Sequence, residues 1–163
     1  MRAFLLIALS LWLTSCGTTP QPTPSVTAVT IKTIKPSYLR ATHFIRVREY
    51  MTGAEHTGKQ VVLRSDPEAR EGFYFILVLD TKLHRLPPGC ALIGEFYTPA
   101  SPDVQTHHFA LPSQRPKTRE ILVGLTGSDW PFGADRMPSA WRFTVVDANG
   151  QPLGHKQSYL WSL

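Results

Sequence analysis

Proline and glycine interrupt this chain too often for long helices to form. The 163 residues include 14 prolines and 11 glycines, and after Ala41 the longest interval without either runs from Phe73 to Leu86. That interval is itself typical of a strand, because Phe73–Asp80 is rich in aromatic and β-branched residues and is apolar on both faces until Asp80. The chain is therefore predicted to be all-β.

Strand-like segments separated by turn residues recur along the chain. They are Thr42–Glu49, Gln60–Arg64, Phe73–Asp80, Cys90–Tyr97, Thr106–Leu111, Glu120–Leu125, Ala140–Asp147 and Gln157–Trp161. Asp147-Ala148-Asn149-Gly150 predicts a tight turn that pairs the last two segments antiparallel. Val26–Ile34 is either an edge strand or the end of a tether, and Pro36 is predicted to end it. Seven to nine short strands indicate an antiparallel β-sandwich, for which immunoglobulin-like and transthyretin-like arrangements both fit.

The N-terminus has the layout of a secretory signal peptide. A basic start is followed by an apolar stretch that is too short to span a membrane and that ends at Leu13-Thr14-Ser15-Cys16. This ending resembles the lipobox of bacterial lipoproteins, which implies cleavage between Ser15 and Cys16 and attachment of acyl chains such as palmitate to Cys16. Gly17, where inner-membrane lipoproteins often have Asp, implies the periplasmic side of the outer membrane in a Gram-negative cell. The competing interpretation is an ordinary signal peptide with an incidental cysteine.

Three regions follow from this interpretation. Residues 1–15 are the predicted signal peptide, and residues 16–36 are a lipidated cysteine with a Pro/Thr-rich tether and a possible edge strand. Residues 37–163 are the sandwich domain. The segment Gly17–Ser25 has three prolines, no charge and no large apolar residue, so it is predicted to be an extended spacer.

The positive charge of the chain is concentrated near its front. There are 17 Lys and Arg against 12 Asp and Glu. Apart from Arg2 in the predicted signal peptide, five of these cations precede Glu49, the first acidic residue: Lys32, Lys35, Arg40, Arg46 and Arg48. A basic segment near an anchor fits anionic lipid headgroups or acidic envelope polymers, although an ordinary solvated segment explains so sparse a set better. With no dense basic patch and an export signal, nucleic acid is not an expected partner.

The residues that usually carry chemistry form no recognisable constellation. Cys90 begins an apolar run and is predicted to be buried in the core. His107 and His108 point to opposite faces of a strand and cannot chelate one ion. No nucleophile elbow or phosphate-binding glycine loop occurs. We therefore expect no enzyme, no metal and no cofactor.

Two groups of apolar residues are candidate binding surfaces. Trp130 and Phe132 lie in a Pro/Gly-rich loop, where exposed rings often bind sugars or proteins; the alternative, to which we give precedence, is that Trp130 closes one end of the sandwich. The second group is the expected outer face of a hairpin made by Phe73–Asp80 and Cys90–Tyr97. Its members are Tyr74, Ile76, Val78, Ile93 and Tyr97. Either the segment Val26–Ile34 or a partner protein is expected to cover this face.

The C-terminal pattern of Trp141, the 147–150 turn and Gln157–Trp161 resembles the last hairpin of immunoglobulin-like envelope domains, which implies a terminal Trp packed over the sandwich end. The expected function is a membrane-anchored envelope lipoprotein that acts as a non-catalytic binding or assembly module, with an envelope protein as partner. The first alternative is a carbohydrate- or peptidoglycan-binding accessory domain that uses the loop aromatics and is held on cell-wall polysaccharide. The second is an outer-membrane lipoprotein of the type VI secretion kind, whose Arg-Pro-Ser-Pro start has no counterpart here.

Overall fold

The computed structural model describes residues 26–162, which form eight strands, one short α-helix and four 3-10 turns. The strands are β1 (Ile31–Leu39), β2 (Val61–Arg64), β3 (Gly72–Leu79), β4 (Ala91–Thr98), β5 (Ser101–Ala110), β6 (Glu120–Thr126), β7 (Ala140–Val146) and β8 (Pro152–Gln157). The helix α1 is Val47–Thr52, and the 3-10 turns are Ala41–Phe44, Leu83–Arg85, Gly127–Asp129 and Tyr159–Ser162. The predicted signal peptide, its cleavage site at Ser15 and Cys16, and the spacer to Ser25 lie outside the described residues.

The strands form two four-stranded sheets packed as a sandwich. The first sheet has the order β1-β3-β6-β2 and the second the order β5-β4-β7-β8. All neighbours are antiparallel except β2, which runs parallel to β6 and pairs Val61 with Ile121. The predicted all-β sandwich is confirmed, and the expectation of a purely antiparallel one is wrong at β2. A parallel neighbour arises because β2 belongs to the long connection between β1 and β3 rather than to a hairpin.

Alternating side chains from both sheets build the core. From β3, Phe73, Phe75, Leu77 and Leu79 point inward and are buried, as predicted. The ring of Phe75 lies 5.3 Å from that of Phe96 on β4 and 5.1 Å from that of Phe143 on β7, measured between centroids. Tilted and edge-on contacts of this kind add to the burial of apolar area. Cys90 is also buried, as predicted, and burial raises the pKa of its thiol.

The segment before β1 closes one side of the sandwich. Val29 is buried, and its backbone N–H donates to the carbonyl of Leu153 on β8 at 2.9 Å. Nearby, the Lys156 ammonium donates to the carbonyl of Lys32 on β1 at 2.5 Å. Gly154 makes the close approach possible, because a Cβ there would lie 1.8 Å from the carbonyl oxygen of Val29. The edges β1 and β8 are thus joined across the two sheets.

Three sequence expectations are wrong in detail. Pro36 does not end a strand but lies within β1, opposite Phe75, which an edge strand tolerates because one side of its backbone needs no partner. The segment predicted as strand 42–49 forms a 3-10 turn and the start of α1 instead. The last strand is Pro152–Gln157 and not Gln157–Trp161, because the tight turn at 147–150 starts the pairing at once, with Val146 opposite Pro152.

The other predicted strands are confirmed within a few residues. They are Gln60–Arg64, Phe73–Asp80, Cys90–Tyr97, Thr106–Leu111, Glu120–Leu125 and Ala140–Asp147, which correspond to β2 to β7. The predicted turn is also present, with Gly150 at a φ of 77° and two backbone N–H groups donating to the Asp147 carboxylate. Between residues 26 and 162, none of the helices combines the length and the hydrophobicity that crossing a membrane requires.

We expect Gly154→Ala to destabilise the fold by about 3 kcal/mol, because the added methyl group must displace the backbone of Val29. Urea unfolding measures the change. Gly133→Ala is the comparison, since its Cβ meets open space and only its positive φ costs free energy, about 1 kcal/mol. If the two variants lost the same free energy of unfolding, the close contact between Val29 and Gly154 would not restrict the residue at position 154.

Candidate functional site

The outer face of the first sheet is covered by the connection between β1 and β3, and we call residues 41–58 the cover segment. Its 3-10 turn Ala41–Phe44 places Phe44 over Tyr74 on β3, with ring centroids 5.0 Å apart. Phe44, Tyr74 and Leu122 on β6 form a second buried cluster, separate from the main core. Gly124 makes room for it, because a Cβ there would lie 2.5 Å from the ring of Tyr74.

An ionic network holds the cover segment to the sheet. Arg64, at the end of β2, donates to both carboxylate oxygens of Glu55 at 2.8 and 2.6 Å and to the hydroxyl of Tyr74 at 3.0 Å. Its guanidinium also lies over the ring of Phe44, 4.9 Å from the centroid. The Arg70 side chain contacts Glu49 of α1 at 2.5 Å and Glu55 at 3.6 Å. Two arginines of the sheet side therefore bind the two carboxylates of the cover segment.

The network shifts the pKa values of Glu55, Arg64 and Tyr74. The hydrogen bond from Arg64, and then the positive charges of Arg64 and Arg70, hold the pKa of Glu55 below its ordinary value of 4.5, against the opposing effect of burial. The hydrogen bond to Glu55 raises the pKa of Arg64, and burial raises the pKa of Tyr74. The Tyr74 hydroxyl itself donates to the carbonyl of Arg70 at 2.7 Å. Glu55, Arg64 and Tyr74 therefore all take part in interactions that hold the fold together.

Helix α1 presents its apolar side chains to solvent. Val47, Tyr50 and Met51 are 82%, 79% and 84% exposed, while Glu49 faces the domain and Arg70. The helix ends at Gly53, whose φ of 68° is the left-handed conformation common after a helix. Ile45, just before the helix, is also exposed. We call the four residues Ile45, Val47, Tyr50 and Met51 the apolar tip.

Exposed arginines and a lysine accompany the apolar tip in the sequence. Arg46 and Arg48 alternate with its residues, and Arg40 and Lys59 flank the cover segment. Arg46 donates to the side-chain carbonyl of Gln60 at 2.7 Å, which fixes its position. Because Arg70 and Arg64 engage Glu49 and Glu55, the outward side of this surface is positively charged.

The predicted partner face does not exist as one surface. Tyr74 is fully buried beneath the cover segment, and Ile76 packs against the same cluster. Val78 is half-buried on the same strand. Ile93 and Tyr97 belong to β4, which lies in the opposite sheet, so β3 and β4 form no hairpin. The cover segment, rather than Val26–Ile34 or a partner, lies over Tyr74.

Ile93 and Tyr97 lie instead on the outer face of the second sheet. Beside them, Arg142 on β7 donates to both oxygens of Glu95 on β4 at 2.5 and 2.6 Å. The Arg142 guanidinium also lies 4.8 Å from the ring centroid of Trp161, whose ring is 5.3 Å from that of Tyr97. The C-terminal 3-10 turn therefore packs Trp161 onto this sheet face.

The loop aromatics are placed differently from an exposed binding site. Trp130 is only 4% exposed, contacts Phe73 with 5.0 Å between centroids, and donates its indole N–H to the carbonyl of Gly133 at 2.9 Å. Phe132 is half-buried and packs edge-on against Trp130. Trp130 thus folds back into the core, as the preferred interpretation of this loop expects.

His107 and His108 are neighbours on β5 but lie in different surroundings. His107 is half-buried, 4.0 Å from the Asp129 carboxylate and beside Phe96 and Phe109. His108, its neighbour on β5, is exposed. It lines an open cavity of about 260 Å³ between the edge strands β2 and β5. Within residues 26–162 no three His, Cys, Asp or Glu side chains come together as a metal site.

Comparison with family models, with curated proteins and with solved structures finds no match to the chain.

The apolar tip was not predicted, although the sequence contains a signal for it. Val47, Tyr50 and Met51 have the i, i+3, i+4 spacing of one helix face, and Gly53 follows as a helix stop. Over the shorter window 42–49 the alternation of Ile45 and Val47 with Arg46 and Arg48 favours a strand. The helical spacing becomes visible only when the window extends to Met51.

We expect Glu55→Gln to lower the free energy of unfolding at neutral pH by about 1–3 kcal/mol, because it leaves the nearly buried Arg64 charge without its partner. Since the folded pKa of Glu55 is lowered, its stabilisation is present above the ordinary value of 4.5 and is lost as pH falls below it. Urea unfolding between pH 7 and pH 3 measures both effects.

The control is Glu68→Gln, which removes an exposed carboxylate. The difference between the native chain and Glu55→Gln should narrow on acidification, whereas Glu68→Gln should stay close to the native chain throughout. A Glu55→Gln variant as stable as Glu68→Gln at pH 7 would contradict the structural role of the network.

Trp130→Ala should destabilise the domain by about 3–5 kcal/mol, the cost of removing a large buried aromatic. Phe132→Ala should cost less, because Phe132 is half-buried. Denaturant unfolding and retention on cell-wall polysaccharide are measured on the same preparations. A Trp130→Ala chain of native stability that no longer binds polysaccharide would overturn the core assignment and favour a carbohydrate site.

Proposed function

We propose that the chain is a bacterial envelope lipoprotein, held in the membrane by an acylated Cys16, whose β-sandwich is a non-catalytic binding or assembly module. The observation that carries the proposal is the sequence Leu13-Thr14-Ser15-Cys16 behind a basic start and an apolar stretch. The described sandwich begins directly after the predicted spacer, with Val29 already buried. Signal, spacer and domain follow one another in the order that a tethered domain requires.

We also infer that the sandwich is of the immunoglobulin-like kind, and the strand order supports this. With β2 set aside, β1-β3-β6 and β5-β4-β7-β8 correspond to the A-B-E and C′-C-F-G strands of that arrangement. Strand β2 then occupies the sheet edge next to β6 where strand D would lie. Immunoglobulin-like sandwiches serve many functions, so the class leaves the ligand open.

The non-catalytic character is supported by what the charged groups do. The densest ionic cluster, made by Arg64, Arg70, Glu49 and Glu55, lies beneath the cover segment and holds it in place. The second, between Glu95 and Arg142, is bound under Trp161. Buried Trp130 leaves the polysaccharide alternative without its main aromatic. An envelope protein is therefore the favoured partner class, and outer-membrane placement facing the periplasm remains part of the proposal.

Replacing Cys16 tests the anchor. We expect the native chain to fractionate with membranes and to incorporate labelled palmitate, and Cys16→Ala to lose both. Cys90→Ala is the matched control, because it removes the other cysteine, which is buried in the core. A Cys16→Ala chain that incorporates label and fractionates as the native chain does would contradict the lipoprotein assignment.

Crosslinking in intact membranes tests the assembly role. The native chain should capture a specific envelope protein, and Cys16→Ala should not. Retention on cell-wall polysaccharide without a protein partner would instead favour the accessory-domain alternative.

A further inference from the structure

We propose that the apolar tip is a membrane-docking surface that inserts into the headgroup region of a bilayer containing anionic phospholipid. The inference rests on the proposed function, since it requires a chain that works beside a membrane. It adds a second contact between domain and membrane, distinct from the anchor at Cys16.

The side chains of the apolar tip are exposed to solvent. Val47, Tyr50 and Met51 are each about four-fifths exposed on one helix face, and Ile45 extends the patch. A short helix on a soluble domain usually buries its apolar face. Here the polar residue Glu49 faces the domain and the apolar residues face outward. Large apolar residues with one tyrosine are the composition that partitions into a membrane interface.

The exposed charged residues near the apolar tip in the sequence are positive. Between residues 40 and 60 the cations are Arg40, Arg46, Arg48 and Lys59, all exposed, and the anions are Glu49 and Glu55. Both anions are bound by Arg70 and Arg64, so they offer little repulsion to a negative surface. Basic residues around an apolar patch are attracted to anionic headgroups by about 1 kcal/mol each. A protein partner would need acidic residues placed around its apolar contact to match these cations. The surface of an anionic bilayer is negatively charged throughout.

The segment between Cys16 and the domain is short enough to keep the apolar tip near the bilayer. Nine residues lie between Cys16 and Val26, and the ten residue-to-residue steps span at most about 35 Å. The cover segment lies over Tyr74, whereas the chain enters at the opposite end of β3, near Leu79. Tyr74 and Leu79 are five residue-to-residue steps apart along β3, which corresponds to about 17 Å. The anchor therefore keeps the domain close to the bilayer and lets the apolar tip meet it.

The test is the depth of residue 51 in vesicles. Full-length Met51→Cys and Tyr159→Cys, both at positions 84% exposed in the native chain, are labelled with an environment-sensitive fluorophore. Each chain is reconstituted in vesicles of phosphatidylethanolamine with or without phosphatidylglycerol, containing lipids brominated on their acyl chains. We expect strong quenching at position 51 in the phosphatidylglycerol vesicles and weak quenching at position 159.

Charge variants sharpen the test. In the Met51→Cys chain, Arg46→Gln together with Arg48→Gln should lower the ratio of docked to free tip by roughly 30-fold. The matched control is Lys82→Gln together with Arg85→Gln, which removes two cations at the 3-10 turn Leu83–Arg85, beyond the end of β3 that lies opposite Tyr74, and should leave the quenching unchanged. Circular dichroism of each variant checks that the sandwich remains folded.

Three results would overturn the proposal. They are equal quenching at positions 51 and 159, equal quenching at position 51 without phosphatidylglycerol, and protection of position 51 by a soluble protein but not by lipid. The last would assign the apolar tip to a protein partner. Failure of the lipoprotein assignment is detected separately, because the native chain would then be labelled at a free Cys16 while Cys90 stays buried. In that case the comparison of positions 51 and 159 is repeated in a Cys16→Ser chain added to the vesicles.

Discussion

The fold depends on one strand that is apolar on both faces. Strand β3 directs Phe73, Phe75, Leu77 and Leu79 toward the second sheet, and this side alone would make an ordinary sandwich. Its other side carries Tyr74 and Ile76, which cannot face water without cost. A second cover is therefore required, and the long connection between β1 and β3 supplies it. The excursion from residue 41 to residue 58 and the parallel strand β2 both belong to this connection.

A cover of so few residues cannot be held by apolar contacts alone. Phe44 is the only buried residue of the cover segment, so the remaining attachment comes from Arg64 and Arg70. These arginines need carboxylates facing the sheet, and Glu49 of α1 is one of them. A six-residue helix that turns Glu49 inward necessarily turns Val47, Tyr50 and Met51 outward. The exposed tip thus follows from the ionic attachment, and the fold does not require those side chains to be apolar.

Local patterns in the sequence predict the strands well, because period-two alternation and turn residues are properties of short segments. Phe73–Asp80 and the 147–150 turn are examples. The same patterns do not reveal which segment covers Tyr74, since that depends on the order of strands in two sheets. The hairpin expected between β3 and β4 fails for this reason, and with it the grouping of Ile93 with Tyr74. Trp130 illustrates the converse, because a Pro/Gly-rich loop around it does not decide whether the ring turns inward.

In the proposed geometry the apolar tip determines the orientation of the domain at the bilayer more than it strengthens the binding of the chain to the membrane. The proposed acyl chains at Cys16 would already hold the chain at the bilayer, so a further contact would chiefly select which face of the sandwich meets the membrane. With the first sheet toward the bilayer, the outer face of the second sheet points away from it. That face carries Ile93 and the Glu95–Arg142 pair, with Trp161 packed on Arg142, and it is accessible from the envelope side in this geometry. A protein partner would then bind the outer face of the second sheet, because the membrane contacts the opposite side of the domain.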